Sequence, residues 1–216
     1  MPRHAGSRVE FTDKEERVRF LFGVIFGILL VAVGAAAYVM TGSYNTAATI
    51  PPGKTEKELA TYALNKSVAK HAPNRRNPLS ADPETFRGGL AHFRENCVVC
   101  HGAPGVDPGE IGQGLNPGAP DLTLRRTQAR SDGELYWIVS EGIRMTGMPA
   151  FGPTHKENEI WQVVAFLRHL PGITDEEKTQ LKGATEEAEH HEEAPPPGGT
   201  AKPPHMHAPG TPPHKD

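Results

Sequence analysis

Apolar and polar positions divide the chain into one uninterrupted apolar run and a later stretch with helical periodicity. The run extends from Phe20 to Met40, 21 residues without a charged side chain. At about 1.5 Å per residue, a helix of this length spans roughly 30 Å, the thickness of the hydrocarbon core of a bilayer. The pattern therefore predicts a transmembrane anchor helix over residues 20–40.

The charges beside the run predict its orientation. Five Lys or Arg residues precede it and two follow within 20 residues: Arg3, Arg8, Lys14, Arg17 and Arg19, then Lys54 and Lys57. The positive-inside rule places residues 1–19 in the cytoplasm and the rest on the periplasmic side of a bacterial inner membrane. The alternative is a cleaved signal peptide, since Ala35 and Ala37 form an A-x-A pattern. The run is longer than a typical signal-peptide core, which favours the anchor.

Residues 41–79 have the pattern of a stalk or linker with one short helix. Thr55 and Glu58 have capping-box spacing, and the apolar positions that follow allow a helix to about His71. Prolines then interrupt the chain, which predicts extended segments up to the next domain.

Residues 80–183 have enough regularly spaced apolar residues to form a hydrophobic core. Asp82 can cap a helix that has Pro83 at its first position. Two more helices are predicted, from Asp132 to about Gly142 and from Glu157 to Leu170, and a Gly- and Pro-rich loop lies before them. Because no segment alternates as a strand would, we predict an all-α domain.

Residues 184–216 are rich in Pro, His and Glu and lack apolar periodicity, which predicts a disordered tail. An unstructured, solubilising terminus is the favoured interpretation. The alternative is a copper- or nickel-binding segment that uses His190, His191, His205, Met206, His207 and His214.

Composition narrows the functional classes. The chain of 216 residues has a formal net charge of -3, which argues against a nucleic-acid partner. Two cysteines exclude a disulfide-dense scaffold and a four-cysteine zinc site. Residues 80–183 contain fourteen acidic and ten basic groups. This small excess of negative charge predicts a weak preference for a partner with a basic docking face.

The two cysteines stand in the pattern C-x-x-C-H, formed by Cys97, Cys100 and His101. This is the attachment pattern of c-type haem: two thiols one helical turn apart can add to the two vinyl groups of a porphyrin, and the imidazole can ligate its iron. A thioredoxin-type redox pair would need a βαβ context, which the pattern lacks. A structural disulfide or half of a zinc site is the remaining alternative.

A haem iron with one histidine needs a second ligand or an open position. The loop from Gly142 to Gly152 offers Met145 and Met148, and a thioether is a suitable soft ligand. The alternatives are that both methionines only pack, or that His155 or His169 is the ligand. His169 is expected in solvent at a helix end.

Five segments carry a resemblance to a known family: C-V-V-C-H-G, G-A-P-D-L, S-D-G-E-L-Y-W-I-V, T-G-M-P-A-F-G and E-I-W-Q-V-V-A-F-L-R-H-L. In this order they make residues 80–172 similar to a class I monohaem cytochrome c. The resemblance implies the class I cytochrome c fold, with Gly89 and Phe93 on the first helix meeting Phe166 on the last.

The resemblance also implies a cofactor, one haem c bound covalently through Cys97 and Cys100. His101 would be the proximal ligand and Met148 the distal one, with Met145 packing at the haem edge. The carbonyl of Pro120 would accept the proximal imidazole N–H.

His/Met ligation would leave no iron position for a substrate, and no substrate-directed base or nucleophile stands out. We therefore expect an electron carrier rather than an enzyme, with redox proteins as donor and acceptor. The alternative is a fixed electron-entry subunit of a larger respiratory oxidoreductase complex.

The anchor is testable by fractionation. We expect the protein to stay with membranes at high salt and to be released by detergent, because an apolar span is held by lipid rather than by charge. A mature N-terminus near Tyr38, found by sequencing, would instead show that a signal peptide is cleaved.

Overall fold

The computed structural model describes residues 13–190, with residues 13–14 and 186–190 as backbone only. The chain divides into two units, residues 1–50 and 51–216. In the first unit, helix α1 is Asp13–Met40. Its stretch Glu15–Met40 has a mean hydropathy of 2.6 and is long and apolar enough to cross a membrane. The predicted helix over 20–40 is confirmed, and it starts seven residues earlier, within the segment assigned to the cytoplasmic N-terminus.

The described part of the second unit is built from helices, as predicted. Among the described residues, extended pairing is limited to an isolated bridge between Ala103 and Val106. The helices are α2 (Lys54–His71), α3 (Pro83–Asn96), α4 (Val98–His101), α5 (Glu110–Gln113), α6 (Arg125–Gln128), α7 (Asp132–Glu141), α8 (Glu157–His169) and α9 (Asp175–His190), with a 3-10 turn Leu170–Gly172 after α8.

The helix starts follow local capping chemistry. Asp82 accepts a hydrogen bond of 2.8 Å from the Thr85 backbone N–H, and Pro83 occupies the first turn of α3, as expected. Before α2, Glu56 accepts from the backbone N–H of Gly53 at 3.3 Å. The start of α2 therefore depends on Glu56, two residues before the predicted Glu58.

The core is organised by the crossing of α3 and α8. A Cβ atom at Gly89 would lie 2.2 Å from the Gln162 carbonyl oxygen, so the two backbones touch at a position that accepts only glycine. One turn further along α3, Phe93 is fully buried against Phe166, with ring centroids 5.3 Å apart. This is the crossing that the resemblance implied.

Helix α2, which lies in the segment interpreted as a linker, packs against α7. Val68 is fully buried, and the His71 ring stacks on Trp137 at 6.0 Å. The Arg130 guanidinium donates to the Asn65 side chain at 2.7 Å. After α2, the Asn77 side chain donates to the backbone carbonyl of Trp161 at 2.8 Å. The second half of the segment 41–79 is therefore packed structure.

Helix α9 is absent from the sequence-based prediction, and it extends through residues 184–190, the first part of the predicted disordered tail. Leu181 is fully buried in the core and Thr185 is nearly so, so the packed structure continues past residue 183. The pattern of apolar positions did not predict this helix because its sequence is mostly polar. Residues 191–216 lie outside the described part of the chain, together with the prediction of disorder there and the metal-binding alternative for His191, His205, Met206, His207 and His214.

Replacement of the buried leucine of α9 tests whether this helix belongs to the domain. We expect Leu181→Ala to lower the free energy of unfolding by about 2–5 kcal/mol, because it leaves a cavity in the core. Gln180→Ala, one position earlier and exposed, should change it by less than about 0.5 kcal/mol. Equal, small effects in denaturant titrations would show that α9 does not contribute to stability.

Candidate functional site

The cysteine–histidine motif lies where α3 ends and α4 begins. The carbonyl of Cys97 accepts backbone hydrogen bonds from Cys100 at 3.1 Å and His101 at 2.9 Å, which winds the motif into one helical turn. Both cysteines are free thiols. Burial raises the pKa of Cys97 to about 12 and also raises the pKa of Cys100. Both sulfurs are therefore protonated at neutral pH.

His101 is oriented by a single hydrogen bond. Its Nδ1 atom lies 2.9 Å from the carbonyl oxygen of Pro120. A carbonyl can only accept, so Nδ1 carries the proton and Nε2 keeps its lone pair. Burial lowers the pKa of His101, although the bond to Pro120 opposes this shift. The neutral imidazole thus presents the nitrogen that a metal ion would need.

The methionine loop between α7 and α8 is closed by its own hydrogen bonds. The backbone N–H of Met148 donates to the Thr146 hydroxyl at 3.1 Å, and that hydroxyl donates to the Ile143 carbonyl at 2.7 Å. Met148 is half-buried and packs against the main core cluster. Met145 is 92% exposed and has a φ of 62°. Its packing at a haem edge stays a prediction.

The loop also needs a glycine at its start. Gly142 has a φ of 65°, a conformation that L-residues rarely adopt. A Cβ atom there would lie 2.6 Å from the carbonyl carbon of Pro149. The backbone on both sides of Met148 is therefore folded tightly onto the end of α7.

The two alternative histidine ligands have other contacts. His155 Nδ1 lies 2.9 Å from the Thr154 hydroxyl. His169 stacks on Phe86 with centroids 4.8 Å apart and lies 3.0 Å from the Glu177 carboxylate. The expectation that His169 lies in solvent is wrong, because α9 brings Glu177 over the end of α8 and half-buries the ring.

The residues of this region fit a haem group. A small cavity beside Cys97 is lined in part with the apolar side chains of Val139, Phe151, Ile160 and Val163, which come from α7, α8 and the loop between them. Its other lining residues are polar: His92, Asn96 and His155. Two free thiols in one turn, an imidazole with its outer nitrogen free and a half-buried thioether match the chemistry of c-type haem attachment and ligation.

The structure adds residues to this region that sequence reasoning did not identify. Gln128, on the short helix α6, donates to the backbone carbonyls of Leu122 and Leu167. Arg168 donates to the Asp132 carboxylate at 2.8 Å. Partial burial raises the pKa of Asp132, but hydrogen bonds from the Asn77 backbone N–H and from Arg168 lower it more, so this pKa lies below its usual value. Apart from Gln128 and Leu122, which are six residues apart, these partners lie 36 to 55 residues apart, so no local motif signals them.

These elements and side chains match those that a haem c domain with a role in electron transfer would need. Residues 84–167, which span α3 to most of α8, match the family model described as cytochrome c oxidase, cbb3-type, subunit III. This match indicates a c-type cytochrome domain over these residues, with which the class I monohaem family is consistent. A search of curated proteins finds no match to the chain.

Glycine replacement tests how tightly the methionine loop is packed. Gly105 and Gly142 both have positive φ, but a Cβ at Gly105 would meet nothing within 4 Å. We expect Gly105→Ala to cost about 1–2 kcal/mol of stability for the backbone conformation alone. Gly142→Ala should cost about 1–3 kcal/mol more, because its Cβ collides with Pro149. Equal losses in thermal unfolding would contradict the close packing of this loop.

Proposed function

We propose that this protein is a membrane-anchored c-type cytochrome that carries single electrons on the periplasmic side of a bacterial inner membrane. The anchor is α1, and the excess of Lys and Arg before it supports a cytoplasmic N-terminus. The haem domain follows the anchor and would face redox proteins that donate and accept electrons.

The observation that carries the proposal is the hydrogen bond between His101 Nδ1 and the Pro120 carbonyl, next to two free thiols on the same turn. In the proposed site, Cys97 and Cys100 attach one haem c by thioether bonds, and His101 ligates its iron through Nε2. Met148 is the proposed second ligand, because its backbone is held by Thr146 and its side chain packs on the core.

When bound, haem c supplies a one-electron couple between ferric and ferrous iron. The chain's own residues set the conditions for that couple. Pro120 holds the imidazole of His101 at one orientation and raises its basicity. The buried side chains of Val139, Ile160 and Val163 form an apolar wall beside Cys97. With His101 and Met148 as its two protein ligands, the iron would have no position left for a substrate, which would favour electron transfer over substrate binding.

A second candidate function is a fixed electron-entry subunit of a larger respiratory complex. The matching family model is named for a subunit of cbb3-type oxidase, which favours this candidate. Extraction in mild detergent followed by identification of copurifying chains distinguishes the two. A stoichiometric set of membrane proteins would support the subunit, and a haem protein that purifies alone would support the carrier.

Replacement of Met148 tests the proposed ligand set. We expect Met148→Ala to abolish the sulfur-to-iron charge-transfer band of the oxidised protein and to lower the midpoint potential, because a soft ligand that favours reduced iron is lost. The reduced variant should also gain affinity for carbon monoxide. Absorption spectroscopy and redox titration of the purified protein provide these measurements.

Met145→Ala is the matched control for this replacement. Its side chain is 92% exposed, so the variant should keep the band and lose little stability. Loss of the band in the Met145 variant but not in the Met148 variant would reverse the assignment. If the unmodified protein already lacks the band, the ligand is not a methionine, and His155 is the next residue to replace.

A further inference from the structure

We infer that Gln128 is a positioning residue that holds the Pro120 carbonyl against His101 and thereby contributes to the reduction potential. The inference rests on the proposed function, since it concerns the proposed proximal ligand. Gln128 touches neither His101 nor the region beside Cys97. It would act through the loop that carries Pro120.

Gln128 spans the gap between this loop and α8 with both hydrogens of one amide group. Its Nε2 atom lies 2.8 Å from the carbonyl oxygen of Leu122 and 2.9 Å from that of Leu167. Leu167 belongs to the last turn of α8, where carbonyls have no partner within the helix. The Gln128 amide therefore connects the loop to α8 through the Leu167 carbonyl, which has no partner within the helix.

The backbone of Gln128 is itself held by α8. Arg168 Nη1 donates to the Gln128 carbonyl at 2.7 Å, and Nη2 donates to the carbonyl of Arg130. The same guanidinium donates twice to the Asp132 carboxylate, at 2.8 and 3.0 Å. These bonds fix the position from which the Gln128 side chain reaches Leu122, so the amide is a rigid support.

The loop transmits this support over a short distance. One residue, Asp121, separates Leu122 from Pro120, and its carboxylate accepts from both the backbone N–H and the hydroxyl of Thr123. This turn restricts the backbone just after Pro120. A displacement of the Leu122 carbonyl should therefore move the Pro120 carbonyl as well.

The consequence for the iron follows from the chemistry of imidazole. A strong hydrogen bond from Nδ1–H to a carbonyl makes the ring a better electron donor at Nε2. A better donor stabilises the ferric state more than the ferrous state. Loss of the Gln128 bonds should loosen the Pro120 carbonyl, weaken the bond to His101 and raise the midpoint potential.

Gln128→Met in the full-length holoprotein tests this inference, since methionine has a similar shape and no N–H donors. We expect the equilibrium constant for reduction to rise at least twofold, about 18 mV at about 59 mV per tenfold change. Hydrogen exchange of His101 Nδ1–H, measured by NMR in the reduced protein, should be at least tenfold faster. A bond that serves stability alone would change neither quantity.

Gln113→Met is the matched control. Gln113 also lies on a four-residue helix, and its Nε2 donates to the Pro108 carbonyl at 2.8 Å, but it has no bond to the loop that carries Pro120. This variant should leave both the potential and the exchange rate of His101 at their wild-type values. A shift equal to that of Gln128→Met would mean that any lost glutamine bond has the same effect, which would overturn the inference.

An unchanged midpoint potential and an unchanged exchange rate of His101 in Gln128→Met would also overturn the inference. The proposed function would still stand in that case if the wild-type protein shows the sulfur-to-iron charge-transfer band. A wild-type protein without haem would refute both. Should Gln128→Met fail to incorporate haem, Gln128→Asn provides the test, because it keeps the amide but cannot span both carbonyls. It should show a smaller shift of the same sign, and no shift would refute the inference.

Discussion

The contact between the backbones of α3 and α8 at Gly89 is the constraint on which the rest of the domain depends. With the Gln162 carbonyl 2.2 Å from where a Cβ would be, the helices approach as closely as peptide groups allow. Phe93 and Phe166 fill the space beside this contact and are fully buried. The crossing thus sets where the end of each helix lies, and both ends contribute to the site.

The end of α3 positions the two thiols and His101, and the end of α8 holds the loop that contacts His101. Cys97 follows α3 directly, so the turn that contains the two thiols and His101 begins at a defined point. From α8, the carbonyl of Leu167 and the guanidinium of Arg168 hold Gln128 and the loop after Pro120. The bond between His101 and Pro120 therefore joins two segments that the same helix crossing positions.

The sequence predicted some parts of the fold better than others for a physical reason. Helices α3, α7 and α8 bury several apolar side chains at helical spacing or begin at strong capping residues, so their pattern is visible locally. Helix α2 is attached chiefly through one buried residue, Val68, and α9 is mostly polar with Leu181 at its buried face. Such helices are stabilised by tertiary contacts rather than by their own amphipathic pattern.

By itself the sequence determined the apolar span of α1, the all-α character of the domain and the set of chemical groups, since these depend on spacing along the chain. The motif of Cys97, Cys100 and His101 is of this kind, because one helical turn brings its members together. Only the tertiary structure decided that Glu177 half-buries His169, that Met145 is exposed while Met148 packs on the core, and that Gln128 and Arg168 support the loop of Pro120. Those contacts join different elements of the fold, and their geometry exists only after the helices have packed together.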